Sequence, residues 1–247
     1  MFQRFRERSR ELEHLDLGDY TATEYEGCLV ELRRINRFLG DAGALRKSLF
    51  PSIERAGAKD FSVLDVGAGS GELLREVARW ARVKSLKATL TGLELNARSA
   101  RAIREESRSF AEISAVRGDA LCLPFEANSF DYVICSLFTH HFAEEGIVAV
   151  LREAQRVARR RIFVIDLHRH PLAYYFYTTI GRAFFRNRLV REDGALSILR
   201  GFKPDELKIL AHRAQLTDAR VERRFPFRLV LSASSEEVKD RGSIDSL

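Results

Sequence analysis

Acidic side chains lie at the ends of three successive predicted strands, where they could bind one ligand. The first group, 65–71, reads Asp-Val-Gly-Ala-Gly-Ser-Gly and leads from a buried apolar run into a helical pattern. Glu94 ends the next strand, and Asp119 follows the third. Because the carboxyl ends of parallel strands meet at one edge of a sheet, these groups should form a single site. The glycines allow a sharp turn and a close approach of the backbone to the ligand.

The chemistry of these groups favours a nucleoside without phosphates. At a strand end, Glu94 can accept hydrogen bonds from both hydroxyls of a ribose, and Asp119 can accept one from the amino group of an adenine. The third glycine of a dinucleotide fingerprint would stand at Glu72, and a carboxylate there would repel a pyrophosphate. NAD and FAD are therefore disfavoured. No Gly-Lys-Ser/Thr follows the turn, which excludes a P-loop.

The elements that position these groups alternate regularly from residue 61 onward. Strands are predicted at 61–66, 88–95, 113–117, 131–136 and 161–166, and helices at 73–81, 97–110, 146–158, 171–185 and 204–214. This alternation is typical of a parallel sheet covered by helices on both faces. The last two apolar runs, 219–224 and 227–232, are too close together for a helical crossover and should pair antiparallel. The first sixty residues have helical patterns, one of which begins with a Thr21–Glu24 capping box.

Composition limits the class of protein. The chain has 247 residues, of which 45% are hydrophobic and 31% charged, so it can form one large domain or two small ones. No apolar stretch is long enough to span a membrane, and we expect a cytoplasmic protein. The net charge is +6, but the arginines are spread among acidic residues, which favours an ion-paired surface over a nucleic-acid interface. The three cysteines lack metal-ligand spacing, so neither disulfides nor a metal site are expected.

Further motifs complete a recognisable order. They are 118–120 (Gly-Asp-Ala), 123–125 (Leu-Pro-Phe), 128–131 (Asn-Ser-Phe-Asp) and 136–141 (Ser-Leu-Phe-Thr-His-His). With the glycine turn, they resemble the class I S-adenosylmethionine-dependent methyltransferases from about residue 63 to residue 166. The nearest resemblance is to the small-molecule group typified by the ubiquinone and menaquinone biosynthesis methyltransferases. One departure follows the fourth helix, where Ala-Arg-Arg-Arg at 158–161 replaces a Lys-Pro-Gly-Gly turn. This indicates a tighter turn, with its arginines either solvated or used for docking.

The resemblance implies a doubly wound α/β fold with a mostly parallel seven-stranded sheet and an antiparallel last strand. An N-terminal helical cap would span 1–58. The S-adenosyl-L-methionine-binding domain would span 59–233, with a substrate-lid insertion at about 170–200. A flexible tail would follow at 234–247.

The resemblance also implies which residues contact S-adenosyl-L-methionine. Asp65 would bind or orient its amino group, and Ser136 would lie beside the methionine moiety. Glu94 would bind the ribose hydroxyls. The other expected cofactor contacts are Gly67, Ala68, Gly69 and Gly71 at the methionine end and ribose, Leu95 beside Glu94, and Asp119 with Ala120 at the adenine edge.

The acceptor side of the site is predicted from histidines and aromatic residues. His140 and His141 follow the fourth strand and His168 follows the fifth, so each is a candidate for removing a proton, with helix capping or packing as the alternative. The aromatic stretch 172–185, with its arginines, favours a small hydrophobic, phenolic or anionic acceptor that is methylated on oxygen or carbon. It could form an apolar lid or rest on a membrane surface, or be an ordinary core-facing helix.

Other functions compete with this interpretation. The net charge suggests an RNA methyltransferase, but the fourth strand ends in Cys-Ser-Leu-Phe at 135–138 instead of the Asp/Asn-Pro-Pro-aromatic signature of amino-group methylating enzymes. A cofactor-binding module without activity is the second alternative. The N-terminal helices either close over the cofactor, with Tyr25, Asn36 and Arg37 as lid contacts, or brace the edge of the sheet.

Overall fold

The computed structural model describes residues 3–38, 40–181 and 184–235, and its centre is a seven-stranded sheet. The strands are β1 (Asp60–Val66), β2 (Lys87–Glu94), β3 (Ile113–Arg117), β4 (Phe130–Ser136), β5 (Ala158–Leu167), β6 (Thr217–Arg224) and β7 (Arg228–Ser234). Their order across the sheet is β3-β2-β1-β4-β5-β7-β6. Strands β1 to β5 are parallel, and β7 pairs antiparallel with both β5 and β6. The predicted fold class is therefore confirmed.

Helices cover both faces of the sheet. They are α1 (His14–Leu17), α2 (Ala22–Phe38), α3 (Asp41–Ala56), α4 (Glu72–Val83), α5 (Ala97–Glu106), α6 (Glu144–Val157), α7 (Pro171–Phe176), α8 (Arg188–Arg200) and α9 (Pro204–Arg213). Leu49 of α3 and Leu74 of α4 are fully buried on one face, and Ile147 of α6 and Leu207 of α9 are buried on the other. Each such side chain stabilises the fold by about 2–3 kcal/mol. The two helical layers thus hold the sheet in place, including the carboxyl ends of its parallel strands, where ligands bind in sheets of this type.

The basic run at 158–161 was assigned wrongly to a turn. Strand β5 begins at Ala158, which pairs with Phe130 of β4. Arg159 and Arg160 both lie within ion-pair distance of Asp131, at 3.0 and 3.3 Å. The charges that suggested a solvated turn are therefore compatible with a strand, because an acidic side chain of the neighbouring strand neutralises them.

The predicted helix at 171–185 is divided. After α7 the backbone widens into a π-helical turn over Tyr177–Gly181. The sequence analysis missed α8, because buried Asp193 and Arg200 lie among its apolar residues and hide the helical periodicity.

Helices α1 and α2 pack on α8, whereas α3 packs on the face of the sheet. Glu24 Oε2 accepts hydrogen bonds from the Thr21 backbone (2.8 Å) and hydroxyl (3.0 Å), and the Glu24 backbone N–H donates to Thr21 Oγ1 (3.2 Å), which confirms the capping box. Cys28 of α2 is buried against Leu189 and Val190 of α8.

Some predictions fall outside the part of the chain that the structure describes. The side chains of Asn36 and Arg37, named as lid contacts, belong there, and so does the predicted tail from residue 236 onward. Ser234 is the last residue of β7. Within the described ranges, no helix combines the length and apolar character needed to cross a membrane.

Candidate active site

The turn after β1 presents its backbone to a cavity. Gly67 and Gly69 have φ angles of +73° and +58°, in the left-handed region that favours glycine. A Cβ atom at Gly67 would overlap the ring of Phe138, whereas a Cβ atom at Gly69 would meet no atom within 4 Å. Gly69 therefore faces open space that a ligand can occupy.

This difference gives a testable prediction. Gly69→Ala should destabilise the protein by about 1 kcal/mol because of its positive φ, and should also weaken cofactor binding at least tenfold because the methyl group occupies ligand space. Gly57→Ala is the matched control, since Gly57 also has a positive φ (+63°) and no atom within 4 Å but follows α3, outside the cavity lining. Thermal unfolding and calorimetric titration with S-adenosylhomocysteine measure both effects. Equal affinities in the two variants would contradict the prediction.

Asp65 is the buried acid of this turn. It is 2% exposed and lines the cavity. Among the described residues its Oδ1 has no hydrogen-bond partner. Burial, with a smaller effect of the nearby Glu94 charge, raises the pKa of Asp65 to about 8. A buried carboxyl without a partner fits the positively charged amino group of a ligand.

Glu94 joins β2 to the glycine turn. Its Oε1 accepts the backbone N–H of Gly69 at 2.5 Å. Burial raises the pKa of Glu94 to about 7, and hydrogen bonds from Gly69 and Leu95 oppose this rise. The carboxyl is thus held at the strand end where a ribose would bind.

These raised pKa values predict how the stability of the ligand-free protein depends on pH. Asp65 keeps its proton in the folded protein up to about pH 8 but loses it near pH 4 in the unfolded chain, so its contribution falls as pH rises between these values. We expect Asp65→Asn to become more stable relative to wild type by up to about 1.4 kcal/mol per pH unit between pH 5 and pH 8. Denaturant unfolding at several pH values measures this, and a constant difference would contradict it.

The other predicted cofactor residues divide into two groups. Ala68 and Ser136 line the same cavity as Asp65. Gly71, Leu95, Asp119 and Ala120 are not among its lining residues. Asp119 is exposed, and its Oδ1 accepts the backbone N–H of Leu121 at 2.9 Å, while Ala120 is buried and Leu95 is exposed. The residues expected at the adenine edge therefore lie outside the lining of this cavity.

The cavity extends from the glycine turn toward the aromatic segment and has a volume of about 990 Å³. Its aromatic wall consists of Phe176, Tyr177, Phe185, Phe225 and Phe227. The N-terminal segment contributes Glu13, Leu15, Cys28 and Leu29 to its lining. A small molecule with an apolar body would fit such a space next to the turn.

His140 is held by a buried carboxylate in this cavity. Its Nδ1 lies 2.7 Å from Asp166 Oδ1, and Asp166 Oδ2 accepts the Thr139 hydroxyl at 2.6 Å. Asp166 also accepts the backbone N–H groups of His140 and Leu167. Burial favours the neutral acid, but the charge of His140 and these hydrogen bonds outweigh it and lower the pKa of Asp166 far below its usual value. The carboxylate therefore accepts a hydrogen bond from Nδ1–H of His140, and in this tautomer of the neutral ring Nε2 is free to accept a proton.

Glu13 lies opposite that nitrogen, and the sequence analysis missed it. Its Oε1 is 3.8 Å from His140 Nε2 and accepts the Ser197 hydroxyl at 2.9 Å. Burial raises the pKa of Glu13 to about 7. His141 lies on the same side, with Nδ1 2.8 Å from Asp16 Oδ1. Because 127 positions separate Glu13 from His140, no local pattern could have revealed this contact.

Glu13, His140 and His141 also have the composition of a metal site. One potential ligand atom from each lies within 4.8 Å of the others. However, Arg200 Nε lies 3.9 Å from Glu13 Oε1, and the positive charge of its guanidinium would repel a metal ion at this position. Proton transfer is the chemistry that these groups fit better.

His168 is the third predicted base. It lines the cavity at the end of β5. Burial, with the positive charges of His170, Arg223 and Arg169, lowers its pKa to about 4. It is thus neutral near pH 7 but weakly basic, which makes it a poorer proton acceptor than a histidine supported by a carboxylate.

The sheet order with antiparallel β7, and the glycine turn after β1, define the class I S-adenosylmethionine-dependent methyltransferase fold. Residues 63–161 match the family described as "Methyltransferase domain". This match covers 99 of the 247 residues and shows a methyltransferase domain in that part of the chain. The narrower resemblance to the ubiquinone and menaquinone group stays a prediction. No curated protein sequence matches the chain significantly.

Solved structures of methyltransferases share this fold. A SAM-dependent methyltransferase from Aquifex aeolicus is 16% identical, with a TM-score of 0.58, over 84% of this chain and 96% of that one. Magnesium protoporphyrin IX methyltransferase from Synechocystis PCC 6803, with bound SAH, is 16% identical, with a TM-score of 0.59, over 86% and 94%. The CurJ carbon methyltransferase is 12% identical, with a TM-score of 0.60, over 78% of this chain and 54% of that one.

Proposed function

We propose that the protein methylates an oxygen or carbon atom of a small hydrophobic acceptor, of which a phenol is the best example. The observation that carries this proposal is His140, which lines an aromatic cavity continuous with the glycine turn and is held from behind by buried Asp166. The pair supplies a proton acceptor, and the aromatic wall supplies the apolar surface for the acceptor molecule.

The cofactor end of the site is assigned to the residues whose geometry fits it. Asp65 would bind the ammonium group, since its buried oxygen has no partner among the described residues. Glu94 would bind the ribose hydroxyls, and Gly67, Ala68, Gly69 and Ser136 would line the methionine end. When bound, S-adenosylmethionine supplies an activated methyl group on a sulfonium. Asp119, Ala120 and Leu95 remain proposed contacts of the adenine.

The chain's own contribution is alignment and proton removal. A phenol has a pKa near 10, so at neutral pH it attacks well only while its proton is being removed. His140 Nε2 would take that proton as the oxygen forms its bond to the methyl carbon. The cofactor, held by Asp65, Glu94 and the glycine turn, would supply this methyl group and would keep the electron pair of the broken carbon–sulfur bond on its sulfur. Glu13, 3.8 Å from His140 Nε2, can accept the proton next.

Two neighbours are named for the methylation of magnesium protoporphyrin IX and of carbon, which is in line with a small-molecule acceptor. We also propose that 1–58 is a cap over the site and that 170–200 is the substrate lid. Residues of both segments line the cavity, among them Glu13 and Phe176.

Methyl-labelled S-adenosylmethionine and a matched acceptor panel test this function. The panel pairs lipophilic phenols with their O-methyl ethers and with short polar phenols, and adds a structured RNA. We expect label transfer to the lipophilic phenols. Transfer only to RNA or only to polar acceptors would contradict the proposal, and so would binding of S-adenosylhomocysteine with no transfer to any member.

A further inference from the structure

We propose that the mouth of the cavity docks on an anionic membrane surface, from which a lipophilic acceptor enters the site. This inference rests on the proposed function, because it needs an acceptor that partitions into lipid. The docking face consists of an apolar rim, formed by Leu172, Phe176, Ile180, Phe184 and Phe225, and of a basic groove beside it.

The rim residues of the aromatic segment follow helical spacing. Leu172, Phe176 and Ile180 recur every four residues and are 65%, 52% and 53% exposed. Ala173 and Gly181, on the inner side, are buried. A helix at the surface of a soluble protein normally exposes its polar side to water. This segment exposes its apolar side instead, which is typical of a surface that binds a membrane or another apolar partner.

The rim continues into the active-site cavity. Phe176 and Phe225 line that cavity, although both are also exposed to solvent, Phe225 to 91%. An apolar molecule leaving a bilayer at this face would therefore move along aromatic side chains to His140 without crossing water.

A basic groove adjoins the rim at Phe225. It contains five arginine and lysine side chains from four parts of the chain, together with one acid, Asp205. They are Arg6, Arg169, Lys203, Arg223 and Arg224, of which Arg169 is buried and paired with Glu206. Arg4 also lies here, with its guanidinium 4.5 Å from the centre of the Tyr174 ring. Cations next to exposed apolar side chains match an anionic bilayer, where headgroups meet the cations and acyl chains receive the apolar groups. A nucleic acid would satisfy the cations but leave the aliphatic rim in water.

Vesicle sedimentation tests this face without requiring turnover. Wild-type protein is mixed with vesicles of phosphatidylcholine alone or with 30 mol% phosphatidylglycerol. We expect the anionic lipid to strengthen binding at least tenfold and 0.5 M salt to reverse most of that gain, because each basic residue near the surface contributes about fivefold.

Ile180→Glu should weaken vesicle binding at least tenfold. Val83→Glu is the matched control, because Val83 is 82% exposed at the end of α4, on the opposite edge of the sheet, and its variant should bind like wild type. Equal losses in both variants, or no vesicle binding by wild type, would overturn the proposal. Two other results would also overturn it. In the first, wild type self-associates in lipid-free buffer and Ile180→Glu is monomeric, so that a second copy covers this face. In the second, wild type binds RNA but not vesicles, and Ile180→Glu no longer binds RNA.

Turnover of a short-chain phenol in detergent-free buffer separates this inference from the proposed function. Ile180→Glu should keep the wild-type affinity for S-adenosylhomocysteine, since Ile180 does not line the cavity. If wild type turns over the phenol but ignores vesicles, only the docking proposal fails. If it binds vesicles but methylates no acceptor, the proposed function fails, and with it the reason for the docking.

Discussion

Asp65→Asn is expected to lower the affinity for S-adenosylhomocysteine on the order of 100-fold and to stabilise the ligand-free protein at pH 8. Both effects follow from one observation, a buried carboxyl whose Oδ1 has no partner among the described residues. Asparagine keeps the shape but cannot become the anion that an ammonium group needs, and a pair of this kind is worth about 3 kcal/mol. In the ligand-free protein, asparagine removes the cost of a charge that burial disfavours.

Asp131→Asn is the matched control for this experiment. Asp131 is the second residue of β4, at the opposite edge of the sheet, and its Oδ2 accepts hydrogen bonds from the backbone N–H and the hydroxyl of Ser62. Burial opposes ionisation there, but hydrogen bonds from Ser62 and the two arginines prevail and lower the pKa of Asp131. Its substitution should therefore destabilise the fold and leave cofactor affinity unchanged. Calorimetry and thermal unfolding of the two variants should give opposite patterns; unchanged affinity in Asp65→Asn would refute the assignment.

His140→Gln is expected to lower kcat with a phenolic acceptor on the order of 100-fold while leaving the cofactor Kd unchanged. The reason is that His140 Nε2 is the nitrogen left free by the 2.7 Å bond between Nδ1 and Asp166. Asp166→Asn should give a similar loss, since it no longer fixes the tautomer. The deficit of His140→Gln should shrink as pH approaches 10, because the phenol then loses its proton without help.

Three other histidines calibrate this result. His212→Gln, at an exposed position of α9, should behave as wild type. His141→Gln and His168→Gln should change kcat by less than about tenfold, since neither ring is held as His140 is by buried Asp166. A loss of kcat in His140→Gln that does not change with pH would indicate a structural role for this residue. A 100-fold loss of kcat in His168→Gln would instead identify His168, after β5, as the base.

The sheet was predictable because its signals are local. Apolar runs such as 61–66 and 113–117 end at glycines or charges, and their spacing from the helical patterns favours a parallel arrangement. Helix α8 was not predictable, since Asp193 lies among its apolar residues and binds the backbone N–H groups of His14 and Leu15, far away in the sequence. Polar side chains that are buried by distant partners look like surface residues in a sequence.

The candidate site shows the same division. The positions of Asp65, Gly69 and Glu94 follow from the rule that ligands bind at the carboxyl ends of parallel strands. The sequence could not distinguish among His140, His141 and His168, because the distinction depends on Asp166, which reaches His140 only through the pairing of β4 with β5. Glu13 could not be predicted either, because its contact with His140 also joins residues that are far apart in the sequence.

Calorimetric titration of wild-type protein with S-adenosylhomocysteine at pH 7, in buffers of different ionisation enthalpy, tests most directly whether these strand ends bind the cofactor. One site should bind and release close to one proton per ligand, because Asp65, with a pKa of about 8, must ionise to pair with the ammonium group. Asp65→Asn should release much less. No binding heat, or a heat that is independent of the buffer, would contradict the account.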